Sequence, residues 1–210
     1  DLVRSRGLGD VYKRQVSPSY VNDQTAYVGT DIQGVYKSTD GGEHWYASNS
    51  GLGSLDITSL AINPEDSQLI LVGTYNRGIY RSTNGGQSWV SVPLGNDIVW
   101  CLAFSSRNSM VAYAGTDGGV FRSTDRGQTW TATALGNKTY SLAIHPLDSQ
   151  FVMAGTSGSG VFMTLTGGAS WRTINEGLEN RTVQALAIDL SGCRLLYAGT
   201  GDGVWEWKMP

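Results

Sequence analysis

The sequence predicts an all-β fold, a β-propeller of four-stranded antiparallel blades with about five blades present. Three observations lead to this prediction: one period of about 40 residues, 28 glycines among 210 residues, and a turn motif that repeatedly ends in tryptophan. The dipeptide Gly-Thr marks the period, with successive spacings of 44, 42, 40 and 44 residues. Its five copies are at 29–30, 73–74, 115–116, 155–156 and 199–200.

Each period resolves into four short strands separated by turn residues. In the third period the alternation predicts strands at 99–104, 111–116, 120–123 and 128–133. These spacings leave no room for a helix, and four strands in about 40 residues are typical of a propeller blade. Pairs of small residues, two positions apart, predict the innermost strand of each blade, where neighbouring blades converge. A leucine stands between the two members of each pair. The pairs are Ser59/Ala61, Cys101/Ala103, Ser141/Ala143 and Ala185/Ala187, and the leucines are Leu60, Leu102, Leu142 and Leu186.

The turn motif has the form Ser-x-Asp-x-Gly-x-x-Trp and follows the third strand of a blade. An Asp or Asn side chain can accept hydrogen bonds from turn amides, and glycine tolerates a positive φ. We expect each tryptophan to be a buried apolar plug beneath its hairpin. Three good copies comprise Ser38, Asp40, Gly42 and Trp45; Ser82, Asn84, Gly86 and Trp89; and Ser123, Asp125, Gly127 and Trp130. A worn copy with Thr164, Thr166, Gly168 and Trp171 lacks the carboxylate.

This motif resembles the Asp-box, or bacterial neuraminidase repeat, and the resemblance covers residues 16–207. The resemblance implies a propeller in which the boxes are structural and lie away from the usual binding face. Proteins with this repeat include sortilin-type receptor domains, xyloglucanase-like glycoside hydrolases, photosystem assembly factors and bacterial secreted proteins with tandem boxes. The motif is specific for the fold and says little about activity.

The candidate binding face is formed by the turns between strands two and three, together with the loops that join blades. A mixed ring of acids, amides, a tyrosine and an arginine is suited to a protein or polysaccharide partner. The turns contribute Asp31, Ile32, Gln33, Tyr75, Asn76, Arg77, Asp117, Ser157, Ser159 and Asp202. The joining loops add Asn49, Asp56, Asn96, Asp97, Asn137, Lys138, Glu176, Glu179 and Arg181.

We predict a non-catalytic binding scaffold, and a glycoside hydrolase fragment is the alternative. The segment 30–34, Thr-Asp-Ile-Gln-Gly, is similar to a xyloglucanase segment in which the carboxylate is catalytic, which makes Asp31 a candidate. Gln33 departs from that pattern, and the second carboxylate of that family lies on another propeller, although the usual glycosidase chemistry needs two. A sialidase is disfavoured because the Phe/Tyr-Arg-Ile-Pro motif is absent.

Composition excludes several other classes. The formal net charge is only −3 and basic residues are scattered, so nucleic acid is not an expected partner. No apolar run is long enough for membrane insertion, and Cys101 and Cys193 are expected to be free thiols. No cofactor or metal site is expected, because His44 and His145 lack partners at ligand spacing. We expect the protein to be a monomer.

Residues 1–15 match nothing later in the chain and resemble translated read-through of a sequencing adapter, so we expect them to be non-native. The propeller would then occupy 16–210, in units at 16–50, 51–95, 96–136, 137–177 and 178–210. We expect it to be the C-terminal part of a larger propeller, with a closed five-blade ring as the alternative. An extracellular or periplasmic location is favoured.

Overall fold

The computed structural model describes residues 11–95, 98–189 and 195–208. These residues form five antiparallel sheets, here called blades 1–5 in chain order, and one short helix, α1 (Tyr20–Asp23). The chain divides into two compact units, Asp1–Ile98 with blades 1 and 2 and Val99–Pro210 with blades 3 to 5. In the described part of the chain, no helix has the length and apolar character needed to span a membrane.

In each blade, hydrogen-bonded neighbours follow one another along the chain, so every connection is a simple hairpin. Blade 1 contains β1 (Val11–Val16), β2 (Ala26–Thr30), β3 (Val35–Ser38) and β4 (Tyr46–Ala47). Blade 2 contains β5 (Ile57–Asn63), β6 (Asp66–Thr74), β7 (Ile79–Ser82) and β8 (Val90–Val92). Blade 3 contains β9 (Val99–Phe104), β10 (Ala112–Thr116), β11 (Gly119–Ser123) and β12 (Thr131–Ala132).

Blade 4 contains β13 (Thr139–Ile144), β14 (Val152–Thr156), β15 (Val161–Thr164) and β16 (Arg172–Thr173). Blade 5 has three strands among its described residues, β17 (Val183–Asp189), β18 (Leu195–Thr200) and β19 (Gly203–Lys208). The first blade begins before the predicted boundary at 16, because residues 11–15 pair with β2. The predicted non-native origin of 1–15 stays a prediction.

The core of each unit lies between neighbouring blades. The second strands of blades 1 to 4 are largely buried, and β10 is buried along its whole length. In the first strand of blade 4, β13, every second residue is buried. In the first unit, blades 1 and 2 share a cluster of Tyr27, Val35, Ile57, Leu60, Ile62, Ile70, Val72, Tyr80 and Trp89. In the second unit, blades 3 and 4 share Val111, Tyr113, Val120, Leu135, Val152 and Ala154.

Candidate functional site

The Gly-Thr marker is a clip for the turn between strands two and three. The Thr30 hydroxyl donates to the Gly34 carbonyl at 2.8 Å and accepts from the Gln33 amide at 3.0 Å. The same bond to a glycine carbonyl recurs from Thr74, Thr116, Thr156 and Thr200. The repeated threonine therefore shapes the turn, whereas the residues within the turn differ from blade to blade.

These turns lie beside the loops that join blades, and we call the surface that they form in each unit its loop face. In the first unit, the Gly34 amide donates to the Leu55 carbonyl at 2.9 Å, and the Tyr75 amide to the Asp56 carbonyl at 3.1 Å. In the second unit, the Ser157 amide donates to the Lys138 carbonyl at 2.9 Å. Turns and joining loops are thus held together by backbone hydrogen bonds, which give a rigid surface.

A β-bulge in the first strand of each blade directs one extra residue out of the ladder next to the loop face. In blade 3, Val99 pairs with Thr116 and Cys101 pairs with Gly115, so the register skips Trp100. In blade 4, the same shift leaves out Tyr140. The equivalent residues are Thr58 in blade 2 and Gln184 in blade 5. Bulges commonly re-aim side chains at functional sites.

The bulged aromatic residues of blades 3 and 4 meet two charged residues of the loop face. The rings of Trp100 and Tyr140 contact edge to face, with centroids 5.3 Å apart and planes at 79°. The Trp100 Nε1 donates to Asp117 Oδ1 at 2.7 Å, and the Lys138 ammonium lies 2.9 Å from the same oxygen. That ammonium is also 4.5 Å from the Trp100 ring centroid and 5.3 Å from that of Tyr140. We call these four residues the aromatic cluster.

The charges of the aromatic cluster are fixed at neutral pH. Burial opposes ionisation of Asp117, but hydrogen bonds from Lys138 and Trp100 outweigh it and lower the pKa of this carboxyl. The hydrogen bond to Asp117 raises the pKa of Lys138. The cluster therefore offers two half-buried rings beside a pre-formed ion pair.

The loop face of the first unit carries a different set of side chains. Ile32, Leu55 and Tyr75 have exposed fractions of 70%, 43% and 46%. Two half-buried carboxylates are adjacent to them in the chain: Asp31 next to Ile32, and Asp56 next to Leu55. Burial and, second, the negative charge of Asp31 raise the pKa of Asp56. We call these five residues the apolar–acidic patch.

Other predicted face residues are used differently. Asn49 is structural, since its Oδ1 accepts from the Val35 amide at 2.8 Å and its Nδ2 donates to the Gln33 carbonyl at 3.0 Å. Asp202 of blade 5 accepts a hydrogen bond from Asn180 at 3.0 Å. Asn76 and Arg77 are exposed. Asn96, Asp97 and Cys193 lie outside the described residues, whereas the half-buried Cys101 lies opposite Gly115 and is in no disulfide.

Sequence reasoning missed the aromatic members of the site. It identified Asp117 and Lys138 from their turns, but it gave no role to Trp100 or Tyr140. The available signal was their alignment, because each residue directly precedes the small inner-strand residue of its repeat.

The boxes lie at the other end of the blades, next to the hairpin between strands one and two. In the first box, the Ser38 hydroxyl donates to Asp40 Oδ1 at 2.7 Å, and the amides of Gly42 and His44 donate to Ser38 Oγ and Asp40 Oδ1. The Gly41 amide reaches the Gln24 carbonyl of the preceding hairpin at 3.0 Å. In the worn box, the hydroxyl of Thr166 takes the place of the carboxylate at 3.2 Å from Thr164.

The expectation that all four box tryptophans are buried is wrong for three of them. Trp89 is 3% exposed, but Trp45, Trp130 and Trp171 are only half-buried. The indole of Trp89 packs in the shared cluster and donates to the Ser48 carbonyl of blade 1 at 2.7 Å, whereas Trp45 donates within its own turn, to Gly42, at 3.1 Å. Trp171 packs against the cluster that blades 3 and 4 share. Docking on blade 1 therefore accounts for the burial of Trp89, whereas the hairpin of Trp45 alone leaves that ring half-buried.

The first box also brings three potential metal ligands together. The expectation that His44 lacks a partner is wrong, because its Nδ1 lies 2.7 Å from Asp40 Oδ2, and an oxygen of Glu43 is within 4.8 Å of both. His44 and Glu43 are exposed, and Asp40 already accepts the hydrogen bonds that close the box. We therefore assign these three residues to the turn.

Comparison with known structures gives one consistent fold. An ancestral GH74 enzyme is similar with a TM-score of 0.78 and 26% identity, over 91% of this chain and 27% of that chain. The GH74 xyloglucanase from Xanthomonas campestris gives 0.75 and 19%, over 96% and 36%. YCF48 bound to D1 peptide gives 0.65 and 17%, over 92% and 62%. The chain thus spans only about a third of the length of these GH74 enzymes. The likeness confirms the predicted β-propeller with about five blades.

No curated protein matches the sequence. The profile of the Sortilin-Vps10 family, described as sortilin, neurotensin receptor 3, matches residues 77–189, which is more than half of the chain. This match confirms the predicted repeat superfamily, and the chain belongs to the Sortilin-Vps10 family.

Proposed function

We propose that this chain is a non-catalytic binding scaffold whose loop face takes a protein or glycan partner. One observation carries the proposal: the aromatic cluster, in which bulges of two neighbouring first strands present Trp100 and Tyr140 beside an ion pair. The bulge leaves these residues out of the ladder, so their positions are not required by strand pairing.

The chemistry of the cluster suits recognition. Trp and Tyr combine a large apolar surface with a polar tip, and they are enriched among the residues that dominate binding energy. Asp117 and Lys138 hold the Trp100 ring in place before a partner arrives, which lowers the entropic cost of binding. The likeness to YCF48, which is described as bound to a peptide, supports a binding role at the level of the fold.

The proposal is tested with a glycan array and a displayed random-peptide library, followed by calorimetry on the enriched ligand. We expect Tyr140→Ala to weaken binding about tenfold or more, which corresponds to about 1.4 kcal/mol. Tyr46→Ala is the matched control, because Tyr46 is 65% exposed on β4 and belongs to neither loop-face cluster. Binding that survives Tyr140→Ala and Trp100→Ala unchanged would remove the aromatic cluster as the site.

Glycoside hydrolysis is a second candidate function, and one observation favours it. The charge of Asp31 is, after burial, the second cause of the raised pKa of Asp56, so the two carboxyl groups interact. Glycosidases use a pair of carboxyl groups as acid and as base or nucleophile, which makes Asp56 the candidate partner of Asp31. A reducing-end assay on xyloglucan tests it: turnover lost in both Asp31→Asn and Asp56→Asn, but retained in Asp66→Asn, would establish the enzyme. Absence of turnover in the unmodified protein would exclude xyloglucan as its substrate.

A further inference from the structure

The apolar–acidic patch of the first unit is a surface without an established partner. Its three apolar side chains, Ile32, Leu55 and Tyr75, are 70%, 43% and 46% exposed, although a soluble surface normally scatters such residues singly. They belong to three loops that backbone hydrogen bonds join, from Gly34 to Leu55 and from Tyr75 to Asp56. The surface is therefore held in one shape before any partner binds.

Among the residues that the structure describes, neither carboxylate of the patch, Asp31 or Asp56, takes part in an ion pair. The Asp31 Oδ1 is enclosed, and no hydrogen-bond donor from the described residues reaches it. An enclosed carboxylate oxygen without a donor is costly, and a second carboxylate nearby increases that cost. Both features favour the arrival of a positive charge.

We infer that the apolar–acidic patch docks a basic and apolar peptide segment of a partner protein, with a lysine or arginine placed at Asp31 and Asp56. The apolar side chains on either side of that cation would cover Ile32, Leu55 and Tyr75. The inference rests on the proposed role as a binding scaffold and names one partner class for it.

Charge and polarity distinguish this occupant from others. A calcium ion requires six to eight oxygen ligands, which two carboxylates among apolar side chains do not supply. A neutral glycan carries no cation to compensate the two acids. A guanidinium or ammonium group carries the positive charge that the two carboxylates favour and donates several hydrogen bonds, and its apolar neighbours bury the exposed side chains.

The test uses a synthetic fluorescein-labelled peptide with the core Leu-Arg-Phe-Arg-Leu and the full 210-residue chain. Fluorescence anisotropy gives the affinity, at low salt and again at high salt. A second peptide with glutamate in place of each arginine, and a third with serine in place of each apolar residue, test the two halves of the recognition separately. We expect only the first peptide to bind.

Within the protein, we expect the double variant Asp31→Asn and Asp56→Asn to weaken binding about tenfold or more. We expect Tyr75→Ser to weaken it by several fold. Asp66→Asn and Tyr46→Ser are matched controls and should change the affinity by less than about twofold. Circular dichroism verifies that every variant folds.

Each other outcome separates this inference from the proposed function. Failure of the unmodified protein to bind the peptide, or equal binding by the double variant, overturns the inference. Binding that Tyr140→Ala removes also overturns it, but supports the aromatic cluster as the binding site. Loss of glycan or library ligands in the aromatic variants is measured independently, so the proposed function stands or falls on its own result.

Discussion

The clearest test of the packing compares two equivalent box tryptophans. Trp89 is 3% exposed and lies in the cluster shared by blades 1 and 2, where its indole nitrogen donates to the Ser48 carbonyl at 2.7 Å. Trp45 occupies the same motif position in blade 1, but is half-buried and bonds only within its own turn. Truncation of both to alanine isolates the contribution of docking on a preceding blade.

The expected magnitudes follow from the buried areas. A buried tryptophan removes about 150–250 Å² from water, which at about 25 cal/mol per Å² is worth about 4–6 kcal/mol. Areas counted against a fully extended unfolded chain overstate what folding buries. Measured truncations of large aromatic residues cost about 3–5 kcal/mol, and we expect a cost in this range for Trp89→Ala. Trp45→Ala should cost less, since a smaller share of its ring is removed from water. Typical domains have only about 5–15 kcal/mol in total.

The measurement is urea denaturation followed by far-ultraviolet circular dichroism, because tryptophan fluorescence changes with the substitution itself. The midpoint and slope give the free energy of unfolding for each variant. A cost for Trp45→Ala equal to or above that for Trp89→Ala would refute the reasoning that the preceding blade buries the ring.

Three further predictions concern the turns and pH. Burial and, second, the charge of Asp23 raise the pKa of Tyr27 to about 12. The neutral Tyr27 side chain therefore contributes its full stabilisation below the pKa of about 10 that tyrosine has in the unfolded chain, and this contribution is lost as pH rises toward 12. Tyr27→Phe should flatten that alkaline loss of stability in pH-dependent urea titrations. Asp125→Ala should cost about 1–3 kcal/mol of unfolding free energy because it removes hydrogen bonds from the Ser123 hydroxyl and two amides. Asp125→Asn should change the unfolding free energy by less than about 1 kcal/mol. An equal cost for both variants would contradict the structural role of the box carboxylate. Gly34→Ala should lower the thermal midpoint, since Gly34 has φ +80° and an added Cβ would meet Asn49 Oδ1; an unchanged midpoint would show that the turn relaxes freely.

The sequence predicted the blades well because hairpins depend on local signals. In blade 3, the predicted first strand 99–104 coincides with β9, and the second differs only in its first residue. The fourth strand was predicted at 128–133 but covers only Thr131–Ala132. The reason is that the amides of Gln128 and Thr129 donate to Asp125 Oδ1, so these residues belong to the box.

The candidate site was only half predictable, because a bulge is a property of pairing between strands. Asp117 and Lys138 stand in turns, where polar residues suggest a surface. Trp100 and Tyr140 stand inside strands, where alternation assigns them to a sheet face. Their actual placement depends on the register shift opposite Thr116 and Thr156, which no single strand reveals. Trp89 and Trp45 likewise have the same local motif and differ in the neighbour that covers them.

The two ends of each blade differ in their recurring residues. Residues that recur between repeats form hydrogen bonds within their own turns: the turn threonines at one end, and the box serines, acids and amides at the other. The residue at the bulge differs between blades 2 to 5, where it is Thr58, Trp100, Tyr140 and Gln184. Under the proposed binding role, these varied positions beside the loop face give the protein its specificity, whereas the recurring residues serve the fold.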